Sequence, residues 1–119
     1  MAVFLARSGR SLKQIREHVR THYYPIDFTL DEIRDQYYFN ESCQETVPQA
    51  MEAFFESVTF EDAIRNAISI GGDSDTLAAI TGAVAGAYYG VPQNIRNQTE
   101  ALLDERLLGI LRTFERRYP

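Results

Sequence analysis

The chain has 119 residues, 45% of them hydrophobic, and a formal net charge of −5, a size that fits one compact domain spanning residues 1–119 rather than two. The acidic balance argues against a nucleic-acid backbone as partner, since Lys13 is the single lysine and the arginines are dispersed. Cys43 stands alone, which excludes a disulfide framework and fits a reducing cytoplasm; it reads as buried filler rather than as a nucleophile.

Met1 to Ala6 is apolar but lacks the basic lead-in and the length of a secretory signal. It looks like the last turns of a buried helix with no polar cap before it, closed by Gly9. Capping boxes then recur: Ser11 with Gln14, Thr29 with Glu32, Thr46 with Gln49, and a near match in Thr59 with Asp62. Each is followed by apolar residues at helical spacing. Leu12, Ile15 and Val19 share one face; Leu30, Ile33 and Tyr37 share a second. Val47, Ala50, Met51, Phe54 and Phe55 form a third stripe, and Phe60, Ala63, Ile64, Ala67 and Ile68 a fourth. Tyr38 to Glu45 is the longest irregular piece, either a plain surface loop or one lining a site through Asn40, Ser42 and Cys43. Gly90 and Pro92 turn the chain, and a last helix is predicted from about Thr99 to Arg116. With no sustained period-two alternation, the expected fold is all-α, about six or seven helices in a compact orthogonal bundle around one Gly/Ala-rich helix.

That central helix follows Ile70-Gly71-Gly72-Asp73-Ser74-Asp75-Thr76. From Leu77 to Ala87 only Thr81 is polar, so the helix is expected to be covered on every face and is too short to span a bilayer. Gly82, Gly86 and Gly90, four apart, permit close approach of neighbours, and Gly82→Leu should overpack. The turn is then expected to deliver carboxylates into the interior, where a positive group must meet them. One acid suffices for an N-cap; two acids and Thr76 offer hard oxygen ligands of the kind magnesium, manganese or calcium prefers. An EF-hand starting at Asp73 fails, because Ala78 and Val84 stand where glycine and glutamate are required. An aspartate-nucleophile phosphatase needs a preceding strand, and Phe60 to Ile70 is helical in period. Zinc lacks nearby cysteine or histidine; His18 and His22 share a helix face but have no evident third ligand.

The run Gly71 to Thr76, with Ala78-Ala79 and Gly82 to Gly90, closely resembles the C-terminal signature of the ADP-ribosylglycohydrolase family. The similarity extends through Ser42-Cys43, Val47 to Ala50 and Phe60 to Ala63. The resemblance implies an all-α enzyme that removes ADP-ribose from modified side chains or related adducts with a pair of Mg2+ or Mn2+ ions. It implies that Asp73, Asp75 and Thr76 are metal ligands, Ser74 standing where threonine is common. The chemistry implied is metal-assisted glycosidic hydrolysis.

The departures are equally specific. Members are usually at least twice as long, and their N-terminal half supplies adjacent aspartates; this chain has no Asp-Asp pair. The expectation is therefore a C-terminal half, whether truncated, split or excised, with weak metal affinity and little or no activity alone. A missing N-terminal half or a homodimer partner would cover Val3, Phe4 and part of Leu77 to Tyr88. The alternatives are a non-enzymatic remnant that binds ADP-ribose or a partner, and a metal-sensing domain. No membrane or nucleic-acid partner is expected. The general base is not identified, Glu41 and Glu45 being candidates only by sequence proximity.

Overall fold

Side-chain caps decide where several helices begin. In the computed structural model, which describes residues 1–119, Ser11 and Gln14 close a full capping box on α2 (Leu12–His22), and Thr29 and Glu32 close another on α3 (Leu30–Ile33). Thr59 Oγ1 accepts from the Asp62 amide to start α5 (Phe60–Ser69), and Asp104 accepts from the Leu107 amide to start α8 (Glu105–Arg117). The remaining elements are α1 (Ala2–Arg7), a 3-10 turn (Cys43–Glu45), α4 (Val47–Phe55), α6 (Ser74–Tyr89) and α7 (Gln93–Glu100). There is no strand, as the periodicity predicts, and no helix is long and apolar enough to cross a membrane.

The third expected capping box does not form. Thr46 precedes α4 without a side-chain cap and turns its hydroxyl toward the Asn40 carbonyl at 3.4 Å. Pro48 in the first turn removes one of the orphan amides a cap would satisfy. The stripe through Tyr37 also overextends α3, which ends at Ile33 after a single turn. The tail contains two helices rather than one, because Asp104 restarts the chain after α7 ends at Glu100.

The most enclosed element is α4, which buries seven residues including Phe54, Ala50 and Ala53. Phe54 meets Tyr88 and Tyr89 edge-on, at 5.5 and 6.1 Å between ring centroids. Gly/Ala-rich α6 packs against α1, α4 and α5, and its one polar interior side chain is used: Thr81 donates to the Ala50 carbonyl at 2.8 Å in full burial. Yet α6 is not covered all round. Leu77, Thr81, Val84 and Ala85 are buried, while Ala79 and Ala83 are exposed and Gly82 and Gly86 half-exposed. Complete coverage requires close neighbours on every face, and here Ala83, Gly82 and Gly86 line an open cleft that Val3 of α1 and Leu111 and Phe114 of α8 border without filling.

A second, smaller core cluster joins Leu30, Ala50, Ala53, Ala67, Ile70 and Leu77. Ile70 and Leu77 bracket the acidic turn, so both of its ends are pinned in one apolar cluster. Burying Leu77 completely contributes on the order of 2 kcal/mol.

Candidate functional site

The turn between α5 and α6 is built from two left-handed glycines. Gly71 (φ 76°) and Gly72 (φ 70°) reverse the chain, the Ser74 amide donates to the Gly72 carbonyl at 3.0 Å, and the Leu77 amide to the Asp73 carbonyl at 3.0 Å. Asp73, Ser74, Asp75 and Thr76 thereby occupy the first turn of a sixteen-residue helix, where the positive end of the helix dipole favours negative charge.

Asp73 is half-buried and lies against its two neighbours. Its carboxyl is held below the usual carboxylate range, first by the Asp75 side chain, then by the Thr76 hydroxyl and amide, with burial opposing. It does so without closing a well-formed capping bond. Asp73, Asp75 and Thr76 are thus brought together, but Asp75 and Thr76 face solvent. This corrects the expectation that the turn points its acids into the interior: Ile70 and Leu77 occupy that direction instead.

One wall of the site was not foreseen. A Cβ placed on Gly72 would lie 2.5 Å from Tyr37 Cε1 and 3.2 Å from the Tyr38 carbonyl oxygen, so the turn abuts the Tyr37–Tyr38 segment. Tyr37 donates its hydroxyl to the Glu45 carbonyl at 2.7 Å. Its pKa is raised, mainly by burial, with the Asp73 and Glu45 carboxylates adding to the effect and a hydrogen bond with Thr46 opposing it. The loop beyond is internally tied. Asn40 donates to the Glu45 carboxylate and accepts from the Ser42 amide at 2.7 Å, and Ser42 caps the 3-10 turn.

Ile33, Tyr37, Tyr38, Asn40, Glu45 and Gln49 line a cavity of about 180 Å³ there. Gln49 Oε1 is buried nearby without a hydrogen-bond partner. A cavity of that size is smaller than the roughly 300 Å³ at which drug-sized ligand pockets begin, so a nucleotide-sized ligand would need the open side of the turn as well.

No three His, Cys, Asp or Glu side chains converge closely enough to hold a metal ion. The turn offers two carboxylates and a hydroxyl, the hard donor type that suits Mg2+ or Mn2+, but fewer than the six positions an octahedral ion fills. Of the other candidates, both exposed, Glu45 gives its backbone carbonyl to Tyr37 and its carboxylate to Asn40, whereas Glu41 makes no side-chain hydrogen bond. Cys43 is exposed at the start of the 3-10 turn, not buried. His18 and His22 stack at 4.3 Å on α2, and a ring nitrogen of His22 meets the His18 carbonyl. Tyr37 and Gln49 escaped the sequence reading because Tyr37 matched a helical stripe and Gln49 a capping box.

The profile of the ADP-ribosylglycohydrolase family matches residues 3–118. The chain is 43% identical over 88 residues to the ADP-ribosylarginine hydrolase Tri1 of Serratia proteamaculans, covering 74% of this chain and 19% of that protein. It is 43% identical over 51 residues to human ADP-ribosylhydrolase ARH3, covering 43% of this chain and 13% of the relative. A protein of Archaeoglobus fulgidus with no described function is 36% identical over 73 residues, or 60% of this chain and 23% of its own length. The chain therefore spans less than a quarter of the length of these relatives. No solved structure matches significantly.

Proposed function

Given that the chain belongs to the ADP-ribosylglycohydrolase family, we propose that it supplies one side of a metal-dependent site that hydrolyses ADP-ribosyl glycosidic linkages. The observation that carries this is the grouping of Asp73, Asp75 and Thr76 on the solvent side of a rigidly anchored turn. Those three residues would hold Mg2+ or Mn2+. When bound, the ions supply orientation of the ribose hydroxyls and polarisation of a water for attack at the anomeric carbon.

The chain's own residues fix the geometry. Ile70 and Leu77 pin the ends of the turn, Gly72 lets it approach Tyr37, and Tyr37 ties it to the Glu45 loop. Glu45, its carboxylate held by Asn40 and Ser42, is the better placed of the two general-base candidates because Tyr37, packed against Gly72, bonds its backbone carbonyl. The exposed Ala79–Ala83 face of α6, with Val3 and Phe4 on α1, is where a second acidic segment would complete the site. Such a segment, from a longer polypeptide or a partner chain, supplies the carboxylates this chain lacks, and without it activity is low or absent. The exposed thiol of Cys43 fits a reducing compartment such as the cytoplasm.

The reading is tested by release of ADP-ribose from arginine- or serine-modified peptides with Mg2+. The chain is assayed alone, with a family member's N-terminal segment added, and as Asp75→Ala. Release that needs the added segment and is lost in Asp75→Ala supports it. Release unchanged by Asp75→Ala overturns it. A second reading, ADP-ribose binding without hydrolysis, is favoured by the lack of a third converging carboxylate; retained binding of free ADP-ribose with no release in any arm would establish that reading instead.

A further inference from the structure

His18 and His22 stand four apart on α2, so their side chains leave the helix one above the other. Their rings stack at 4.3 Å between centroids, with 26° between planes, and the Tyr23 ring lies tilted beside both at 6.0 and 6.5 Å. Nδ1 of His22 lies 2.9 Å from the His18 carbonyl oxygen. A carbonyl can only accept, so Nδ1 carries the hydrogen, and in the neutral ring Nε2 holds the free lone pair. A backbone carbonyl fixes the tautomer and orientation of metal-ligating histidines in this same way. The His18 ring bonds no protein group, and with His18 half-buried and His22 exposed, both rings are open to solvent.

We infer that His18 and His22 clamp a late first-row divalent ion, Cu2+ most tightly, with water filling the remaining positions. Imidazole nitrogen suits Cu2+, Ni2+ and Zn2+, and affinity peaks at Cu2+. Metal–nitrogen bonds of about 2.0 Å at a right angle set the two nitrogens about 3 Å apart. Small rotations of rings already stacked at 4.3 Å supply that separation. The basic side chains of α2 lie elsewhere. At about 100° per residue Lys13, Arg16 and Arg20 fall on the opposite side of the helix, where they line one open cleft and Arg16 pairs with Glu52. Arg7, the one basic side chain of α1, is turned to the Pro119 carbonyl. His22 lies in the last turn of α2, where the helix dipole favours a cation. These donors are nitrogens, unlike the hard oxygens of the Gly71–Thr76 turn, so the two places select different ions. The inference does not depend on the proposed hydrolysis.

Calorimetric titration of the full chain with Cu2+ tests this, in a Cys43→Ser background that removes the exposed thiol. Saturable binding of one ion is expected, undisturbed by excess Mg2+. His18→Gln and His22→Gln should each weaken it about tenfold or more, with the helical content of the metal-free chain unchanged. Electron paramagnetic resonance of the bound Cu2+ should show two coupled nitrogens, and a single one in either variant. Arg20→His combined with His22→Gln keeps two histidines but sets them on opposite sides of the helix, and it should not restore the affinity. Cu2+ should also raise the denaturation midpoint, because it joins two successive turns only in the folded helix. Absence of binding, or binding indifferent to either histidine variant, overturns the proposal. So does full affinity in the chain carrying Arg20→His and His22→Gln, or displacement of Cu2+ by Mg2+, which would place the ion at the acidic turn.

Discussion

The ring of Tyr37 occupies the space a side chain on Gly72 would need: a Cβ there would sit 2.5 Å from Tyr37 Cε1. This contact joins the acidic turn to the loop that carries Glu45, and Gly72 is therefore constrained twice, by its left-handed φ of 70° and by its neighbour. Gly71, at φ 76°, is constrained once, with nothing within 4 Å of its missing Cβ.

Gly71→Ala should therefore cost about 1–2 kcal/mol, the left-handed penalty alone. Gly72→Ala should cost more, because Tyr37 and the Tyr38 carbonyl must also move. Urea denaturation of both variants checks the order. Equal losses would show that Tyr37 yields freely.

Thr81 ties α6 to α4 through the Ala50 carbonyl, with no water access. Thr81→Val keeps the shape and removes the donor. Stability should fall by about 1–2 kcal/mol. Thr81→Ser, which keeps the hydroxyl, should lose less of the bond but leave a methyl-sized void.

Glu52 is fully buried on α4. Its Oε1 accepts from Arg16 at 2.9 Å, and Oε2 has no partner. Burial pushes its pKa up to about 7, Arg16 opposing and Glu56, one turn along, adding to the rise. A carboxyl raised in the folded state stabilises fully below its unfolded value, near 4.5, and loses that contribution as pH climbs through about 7. The chain should thus be more stable at pH 5 than at pH 8 as far as this group is concerned. Glu52→Gln should flatten that slope and raise stability at pH 8, read from denaturation midpoints across the range.

A Cβ on Gly82 would lie 3.1 Å from Ile64 Cδ1. Gly82→Leu should overpack the α5–α6 contact and cost about 1–3 kcal/mol. Gly82→Ala should come close to neutral, since the helix gains about 1 kcal/mol from alanine while the Ile64 methyl shifts slightly.

The Gly71–Thr76 turn alone should bind Mn2+ weakly, with Kd on the order of 0.1–1 mM. Calorimetric titration checks this, and Asp75→Asn should weaken binding further. Micromolar affinity in the isolated monomer would mean that the turn needs no opposing carboxylates.

Much of the fold was legible because its signals are local. A capping box spans four residues, and an amphipathic stripe a few turns; Ser11, Thr29 and Thr59 cap as their spacing requires. The acidic turn was legible for the same reason, two glycines followed by oxygen-bearing side chains within one helical turn. Thr46 failed the same test because the Asn40 carbonyl, six residues back, took its hydroxyl.

By itself the sequence established an all-helical chain, the position of its glycine turn, and the grouping of Asp73, Asp75 and Thr76 at the head of α6. The tertiary structure alone decided which side of α6 is open, that Asp75 and Thr76 face solvent, and that Tyr37 forms the wall beside the turn. A helix of alanines and glycines carries no directional pattern, so its exposed face is set by where α1, α4 and α5 happen to lie. The meeting of Tyr37 and Gly72, thirty-five positions apart, depends on α4 and α5 folding between them, and no local spacing encodes it.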